Sequence, residues 1–333
     1  MFPKLSQFFK KFCPTIGIDL GSTSIKTVEI KGSLPNLQLV NVYKTDFSSA
    51  VMQNGELIDK ELVVNALEVL VNKFAWKGKQ VVASADGRSL LIRHFKMPVM
   101  PERELKEALR FELEAYLPFG TQELVIDYAN LGLIAGKKHK QCLILVAAIP
   151  KAIALDYYEI FSAVGLDLVA IDIIPLALQR SLAVQEKTGV TAFAEIGTET
   201  ITFFILVDGK VSFIRNITLS SKLISKGRFS YQEQAAASGN LSFRSEGREY
   251  ELEISRELRR SFDMWSQSNN TGISKLVISG EICSLAGIEF LLNRQLGVAV
   301  EVGKPLAGLI KGERQIDPEY AVAAGLALRE VIN

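Results

Sequence analysis

The chain is poor in the residues that build metal centres and cross-linked scaffolds: its 333 residues include three cysteines, Cys13, Cys142 and Cys283, and two histidines, His94 and His139. The cysteines lie far apart with no CxxC spacing, which argues against a zinc site or a disulfide framework and leaves reduced thiols in a cytosolic setting. Neither histidine has a Ser, Cys or Asp partner at motif spacing, so neither receives a catalytic role. An excess of one charge is also missing, since 38 Lys plus Arg face 37 Asp plus Glu for a formal charge of +1. No global electrostatic footprint for nucleic acid follows from that balance. Nor is there an apolar run near the roughly 18 to 20 residues that span a bilayer; CLILVAAI and ITFFILV suit buried strands.

What is present is ordinary globular material, 48% hydrophobic, in a chain longer than one core usually serves. Residues 1–13 stand apart. In FPKLSQFFKKF, Phe2, Leu5, Phe8, Phe9 and Phe12 recur at helical spacing opposite Lys4, Lys10 and Lys11, an amphipathic arm expected to pack on its own domain or to touch lipid or a partner. Lys10 and Lys11 interrupt it where a signal peptide would be apolar.

From Ile16 the pattern reads strand, strand, strand, then the helix ELVVNALEVLVNKF and the strand KQVVASADG, an α/β layer. A strand-helix-strand-strand-helix block follows at about 84–165, set into that layer as an insertion. Its helix PERELKEALRFELEAYL starts at Pro101, is ended by Pro118, and carries a stripe of Leu105, Leu109, Leu113 and Leu117 that predicts a core-facing surface. Glu112 and Glu114, two apart on that helix, point to different faces and cannot flank one bond. Later, YELEISRELRRSFDMW predicts a helix with Leu252, Leu258 and Phe262 on its apolar face. The opening then recurs: TAFAEIGTETITFFILVDGKVSFIRNIT repeats the first hairpin and its successor strand, so the chain holds an internal duplication at about 14–43 and 191–218. Two similar lobes are implied, with the ligand expected between them.

The two turns carry the chemistry. Asp19-Leu20-Gly21-Ser22 and Glu195-Ile196-Gly197-Thr198 share the order acid, apolar, glycine, hydroxyl. Successive amides in a glycine-containing turn make an anion-binding concavity, and an adjacent carboxylate can hold magnesium, mostly through water. Asp19 and Glu195 are therefore candidate metal residues, and Gly21, Ser22, Thr23, Gly197, Thr198 and Thr200 candidate phosphate contacts. Lys26, just past the first turn, can neutralise a phosphate or stand solvated on its strand.

These residues resemble the phosphate-1 and phosphate-2 motifs of the actin, Hsp70 and sugar-kinase superfamily, and LVISGEICSLAG resembles its adenosine motif. The whole chain is more narrowly similar to the PilM family of type IV pilus assembly proteins, relatives of the division protein FtsA. The similarity is carried by GIDLGSTSIKTVEI, MPVMPERELKEALRFELEAYLPFGTQELVIDYANLG, AVGLDLVAIDIIPLALQRSL and the C-terminal GLALRE, with RFELEAYLPF its most diagnostic block. The resemblance implies an α/β, actin-like, ribonuclease H-like duplicated bilobed fold with an inserted FtsA-type 1C subdomain. In those terms 14–83 and 166–190 form the first lobe (1A), 84–165 the 1C unit, 191–220 and 272–333 the second lobe (2A), and 221–271 subdomain 2B.

It also implies ATP and Mg2+ between the lobes, with Ser279 and Gly280 against the nucleotide and at most weak ATPase activity. The implied partner is the N-terminal peptide of a PilN-type inner-membrane protein, gripped between the first lobe and the inserted unit, with other pilus platform proteins as further partners. That places the chain in the cytoplasm, on the cytoplasmic face of the inner membrane and attached through partners. Three positions depart from the family pattern: Glu195 for an aspartate, Gly280-Glu281 for paired glycines, and Ser220-Ser221 for Gly-Gly. Two alternatives stay open, a small-molecule kinase with Asp172 as its base and a pseudo-ATPase scaffold that no longer takes nucleotide.

Overall fold

The computed structural model describes residues 15–53, 55–87, 90–115, 123–134, 140–182, 188–220, 245–269, 271–310 and 315–332. The arm at 1–13, Pro118, Leu117, His139, Ser221 and the 221–244 part of the expected 2B segment lie outside them.

In the opening hairpin every residue from Ser24 to Ile30 is buried, the signature of a strand covered on both faces. Strands β1 (Thr15–Leu20), β2 (Ser24–Lys31) and β3 (Gln38–Asp46) form an antiparallel meander in which Asp19 faces Lys26. Two short strands, β4 (Met52–Gln53) and β5 (Glu56–Leu57), lead into helix α1 (Lys60–Phe74). Asp59 caps α1 by accepting the Leu62 N–H at 2.9 Å, and the helix stops where Ala75 turns left-handed. The parallel strands β6 (Gln80–Ala85) and β10 (Asp167–Ile173) complete a sheet of order β10-β6-β1-β2-β3.

The second half repeats this plan. Strands β11 (Val190–Ile196), β12 (Thr200–Val207) and β13 (Lys210–Thr218) form the meander, while β14 (Lys275–Ser279) and β15 (Ala299–Val302) run parallel beside β11. The order is β13-β12-β11-β14-β15. Counted within each half, both sheets read third-second-first-fourth-fifth, so the duplication extends beyond the hairpins to the whole sheet. Glu195 faces Thr202 as Asp19 faces Lys26.

Each sheet has its own outer core. Helices α1 and α3 (Lys151–Ala163) cover the first sheet, burying Leu67, Leu70, Tyr157 and Phe161 against Ile16 and Ile18. Helices α5 (Ser245–Ser268) and α6 (Ile288–Leu296) cover the second through Ile254, Leu258, Phe262 and Trp265. Leu252, expected on that face, is 48% exposed. Ile254, Leu258, Phe262 and Trp265 follow the 3.6-residue period, and Leu252 falls off their stripe. Helices α4 (Ile174–Leu182) and α7 (Ala321–Ala327) fill the space between the sheets. Two glycines let α7 approach closely on both sides: a Cβ on Gly325 would stand 1.8 Å from the Ala177 carbonyl oxygen of α4, and one on Gly17 of β1 2.0 Å from that of Ala323.

The inserted unit is a three-stranded sheet, β7 (Leu91–Pro98), β9 (Gln141–Pro150) and β8 (Leu124–Ile134) in the order β7-β9-β8, covered by helix α2 (Glu102–Glu114). Leu105, Leu109 and Leu113 pack on Phe95, Met97, Ile144 and Val146 as their stripe predicts. The boundary expected at residue 165 groups α3 with this unit. Its packing groups it with the first lobe, because Ile153, Tyr157, Ile160 and Phe161 all turn into that core.

Candidate functional site

The two repeated turns meet at the mouth between the lobes. Each closes in the same way, the Gly21 N–H donating to Ser24 O at 3.0 Å and the Gly197 N–H to Thr200 O at 3.0 Å. Behind them, Thr23 O accepts the Phe47 N–H at 2.9 Å and Glu199 O the Leu219 N–H at 2.8 Å, so each turn is tied to its third strand's end. Across the cleft the Ser22 and Thr198 hydroxyls lie 3.2 Å apart, and the Thr200 hydroxyl donates to Asp86 Oδ2 at 2.6 Å. The two turns are thus in contact across the cleft. About 90 Å³ of it is left for water-sized occupants.

Five acidic residues, Asp19, Asp86, Glu195, Glu199 and Glu281, and a single lysine, Lys26, line this cavity among the described residues. Lys26 Nζ sits 3.1 Å from Glu281 Oε1, and Ser84 donates to Asp19 Oδ1 at 2.9 Å. Burial pushes the Asp19 carboxyl up, against the opposing pull of Lys26 and the Ser84 hydrogen bond. Burial pushes Glu195 well above its ordinary range, with the neighbouring Asp19 charge adding to it. Burial works against the Lys26 ammonium, yet Asp19, Glu281 and Glu195 outweigh it and raise its pKa, so the lysine is a fixed cation. The Cys283 thiol is pushed up to about 12 by burial and by Glu195, which leaves it inert.

Of the residues singled out in the sequence, Asp19, Gly21, Ser22, Thr23, Lys26, Glu195, Gly197, Thr198 and Thr200 all line the cavity. Ser279 and Gly280 do not border it. Gly280 lies behind Glu195 with φ at +93°, and a Cβ there would meet Ile196 O at 2.5 Å and Glu195 Oε1 at 2.7 Å. The Ser279 hydroxyl is buried without a hydrogen-bond partner. Ser84 and Asp86, absent from the sequence reading, enter the cavity at the carboxyl end of β6; the tendency of ligands to gather at the carboxyl ends of parallel strands is the signal that points there. Glu281 also lines it, as an ion-pair partner of Lys26.

Asp172 is not in the cavity. It is buried and paired with Arg180, with Arg329 at 3.4 Å, and it also accepts its neighbour Ile173's N–H at 2.8 Å. His94 is structural: its Nε2 lies 3.0 Å from Val211 O, joining β7 to β13, and burial lowers its pKa. Among the described residues no three of His, Cys, Asp and Glu converge into a ready-made metal cage, and no helix is long and apolar enough to cross a membrane.

The sequence profile of the type IV pilus assembly protein PilM matches residues 17–331. The chain belongs to the PilM family. Its match to the structure described as a PilM–PilN type IV pilus biogenesis complex has a TM-score of 0.80 at 26% identity, covering 96% of this chain and 99% of that one. The ethanolamine utilization protein EutJ from Carboxydothermus hydrogenoformans matches with a TM-score of 0.53 at 15% identity, over 95% of this chain and 89% of that one, a likeness of fold alone. The fold is actin-like, and the three-stranded unit with α2 sits beside its first lobe.

Proposed function

We propose that the chain is an actin-like scaffold of the type IV pilus assembly platform that holds the N-terminal peptide of a PilN-type inner-membrane protein on the cytoplasmic face. The observation that carries this reading is the near full-length likeness to a protein solved in a PilM–PilN complex. The seam between the first lobe and the inserted unit offers a place for an extended peptide. Strand β8 is an outer strand with Val125 46% exposed, and it runs beside α3 of the first lobe. An open strand edge can take a peptide as an added strand. In a pull-down with a PilN-type N-terminal peptide, the wild-type chain should retain it and Val125→Glu should lose most of it. Equal retention by the variant would move the partner to another surface.

Nucleotide-linked lobe closure belongs to the same proposal. Two glycine turns, their hydroxyls and Lys26 are the donor set that a phosphate chain needs, and Asp19 and Glu195 are two carboxylates whose raised pKa values a cation would relieve. Magnesium takes one or two carboxylates and keeps its waters. The groups present therefore fit Mg-ATP, in a cleft opened beyond the Ser22–Thr198 contact, because nucleotide-sized ligands need several hundred cubic ångströms, on the order of 300 or more. Asp19 and Glu195 would hold the magnesium, and Lys26 and the turns the phosphates. A ligand that favours one lobe arrangement shifts the partner surface with it. Calorimetry should show ATP binding whose magnesium-dependent part weakens in Asp19→Ala.

One observation favours a second reading, a scaffold without nucleotide: Lys26 already has an anion, Glu281. The kinase reading has no such support, since Asp172 is committed to Arg180 and Arg329 outside the cavity.

A further inference from the structure

Glu281 comes from the second lobe, at the start of the short turn that follows β14, and its side chain reaches across to the first. There Oε1 meets three donors from two adjacent strands: the Ser24 hydroxyl at 3.4 Å, Lys26 Nζ at 3.1 Å and Lys44 Nζ at 3.5 Å. Ser24 and Lys26 stand on β2 and Lys44 on β3, so the first lobe by itself presents a hydroxyl and two ammonium groups toward one point. A hydroxyl and two cations converging on an oxygen make an anion site, and a carboxylate from the opposite lobe fills it.

Two further contacts cross the mouth of the same cleft, Ser22 to Thr198 and Thr200 to Asp86, and these are hydrogen bonds of the hydroxyl groups that line it. Among the described residues lining this cavity, the Glu281–Lys26 contact is the ion pair within 4 Å that crosses between the lobes, and it ties up the cavity's one lysine; just outside, Lys44 also reaches Glu319 of the second lobe. Lys44 has a second acceptor, Glu319 at 2.9 Å, and keeps it if Glu281 is lost.

We propose that Glu281 is a built-in stand-in for an anionic ligand: it latches the lobes together when the cleft holds no nucleotide, and a phosphate group must displace it to reach Lys26. The proposal rests on the reading of this cleft as a nucleotide site and adds its regulation. It makes closure the resting condition of the free chain, and it makes binding an exchange of one anion for another on Lys26. The affinity for nucleotide is then set partly by how firmly Glu281 holds.

The test uses the full chain carrying Glu281→Gln, which keeps the shape and removes the charge, with Glu281→Ala as a second variant that also removes the remaining acceptor. Hydrogen exchange without nucleotide reads the backbone amides of 20–24 and 196–200, and calorimetry reads ATP with magnesium. Both variants should exchange faster at both turns, and both should bind ATP about tenfold more tightly, the size expected for releasing one charge-assisted hydrogen bond. Unchanged exchange in both variants overturns the latch, whatever nucleotide does. ATP affinity equal to or weaker than wild type overturns the competition for Lys26. Absence of ATP binding in all three proteins overturns that competition together with the nucleotide reading, while the exchange result still decides the latch by itself.

Discussion

The two hairpins of the duplication share a backbone and divide the chemistry between them. Register places Asp19 where the second half has Glu195, Lys26 where it has Thr202, Glu29 where it has Ile205, and Gly17 where it has Phe193. The first hairpin thus carries the lysine and a second buried acid, Glu29, held by Trp76, Lys79 and Asn41 at 3.0, 2.8 and 2.5 Å. The second hairpin carries a threonine and an isoleucine at those places and stacks Phe193 on Phe204, 4.9 Å between centroids. A duplicated sheet can keep its hydrogen-bond ladder through such changes because the ladder is made by the backbone, while the side chains answer to whatever packs on each face. The cleft is consequently lopsided: its cation belongs to one lobe and the acid that ion-pairs with it at 3.1 Å to the other.

The largest expected effect comes from making the halves alike where α7 lies. Gly17→Ala drives a Cβ to 2.0 Å from Ala323 O and 2.6 Å from Ala327 N, and backbone on both sides cannot yield cheaply. Chemical denaturation should show a loss of about 3 kcal/mol or more. At the matching position, Phe193→Leu should cost about 1.5 kcal/mol or less, since a smaller apolar side chain can repack there. Similar losses at both would mean that the halves do not differ in how closely a helix approaches.

Much of this architecture was legible because it repeats. The order acid, apolar, glycine, hydroxyl names both turns, and the leucine stripe of α2 names its buried face. The allegiance of α3 was not legible, because an amphipathic helix shows that one face is covered without showing by what. The same limit applies to Leu252, an apolar residue near a stripe that leaves it outside. In the site, the local motifs gave Asp19, Glu195 and both turns. Ser84 and Asp86 arrive by parallel pairing of β6 with β1, and Glu281 meets Lys26 across the two lobes. Contacts between residues so distant along the chain have no periodicity to betray them, and in the sequence Glu281 stands out only as a departure from paired glycines.

The next effect concerns the acids. Glu195 and Asp19 both stand above their ordinary carboxylate range in the folded chain, chiefly because burial opposes their charge, with Asp86 and Glu281 adding to it and Lys26 resisting. The folded state therefore holds protons that the unfolded state releases, so stability falls as pH rises from the ordinary carboxylate range through the raised folded values. Glu195→Gln removes the stronger of the two shifts. Its melting temperature should exceed that of wild type near about pH 7 in the absence of divalent cations, with the gap closing as pH falls below the ordinary carboxylate range, where the Glu195 carboxyl is protonated in both states. Glu29 runs the other way. Burial opposes its charge, but hydrogen bonds from Lys79, Trp76 and Asn41 prevail and hold its pKa low, so its contribution is present above the ordinary carboxylate range and is lost as pH falls through the folded value. A pH profile for Glu195→Gln that parallels wild type would show that the second acid is not held at the cost its burial implies.

The smallest effect isolates a single hydroxyl in each half. Register aligns Ser84, on the strand beside Asp19, with Ser279, on the strand beside Glu195. The first donates to its acid at 2.9 Å, and the second is buried with no partner. Removing a made hydrogen bond to a charged group leaves an acceptor short, whereas removing an unmade one relieves a desolvated hydroxyl. Ser84→Ala should then cost about 1 to 2 kcal/mol in thermal or chemical unfolding, and Ser279→Ala should be neutral or slightly stabilising. Equal costs would mean that the Ser279 hydroxyl finds an acceptor in solution, and the residue registered beside it is Glu195. The two halves would then be chemically alike at their acids after all, and the lopsidedness of the cleft would rest on Lys26 alone.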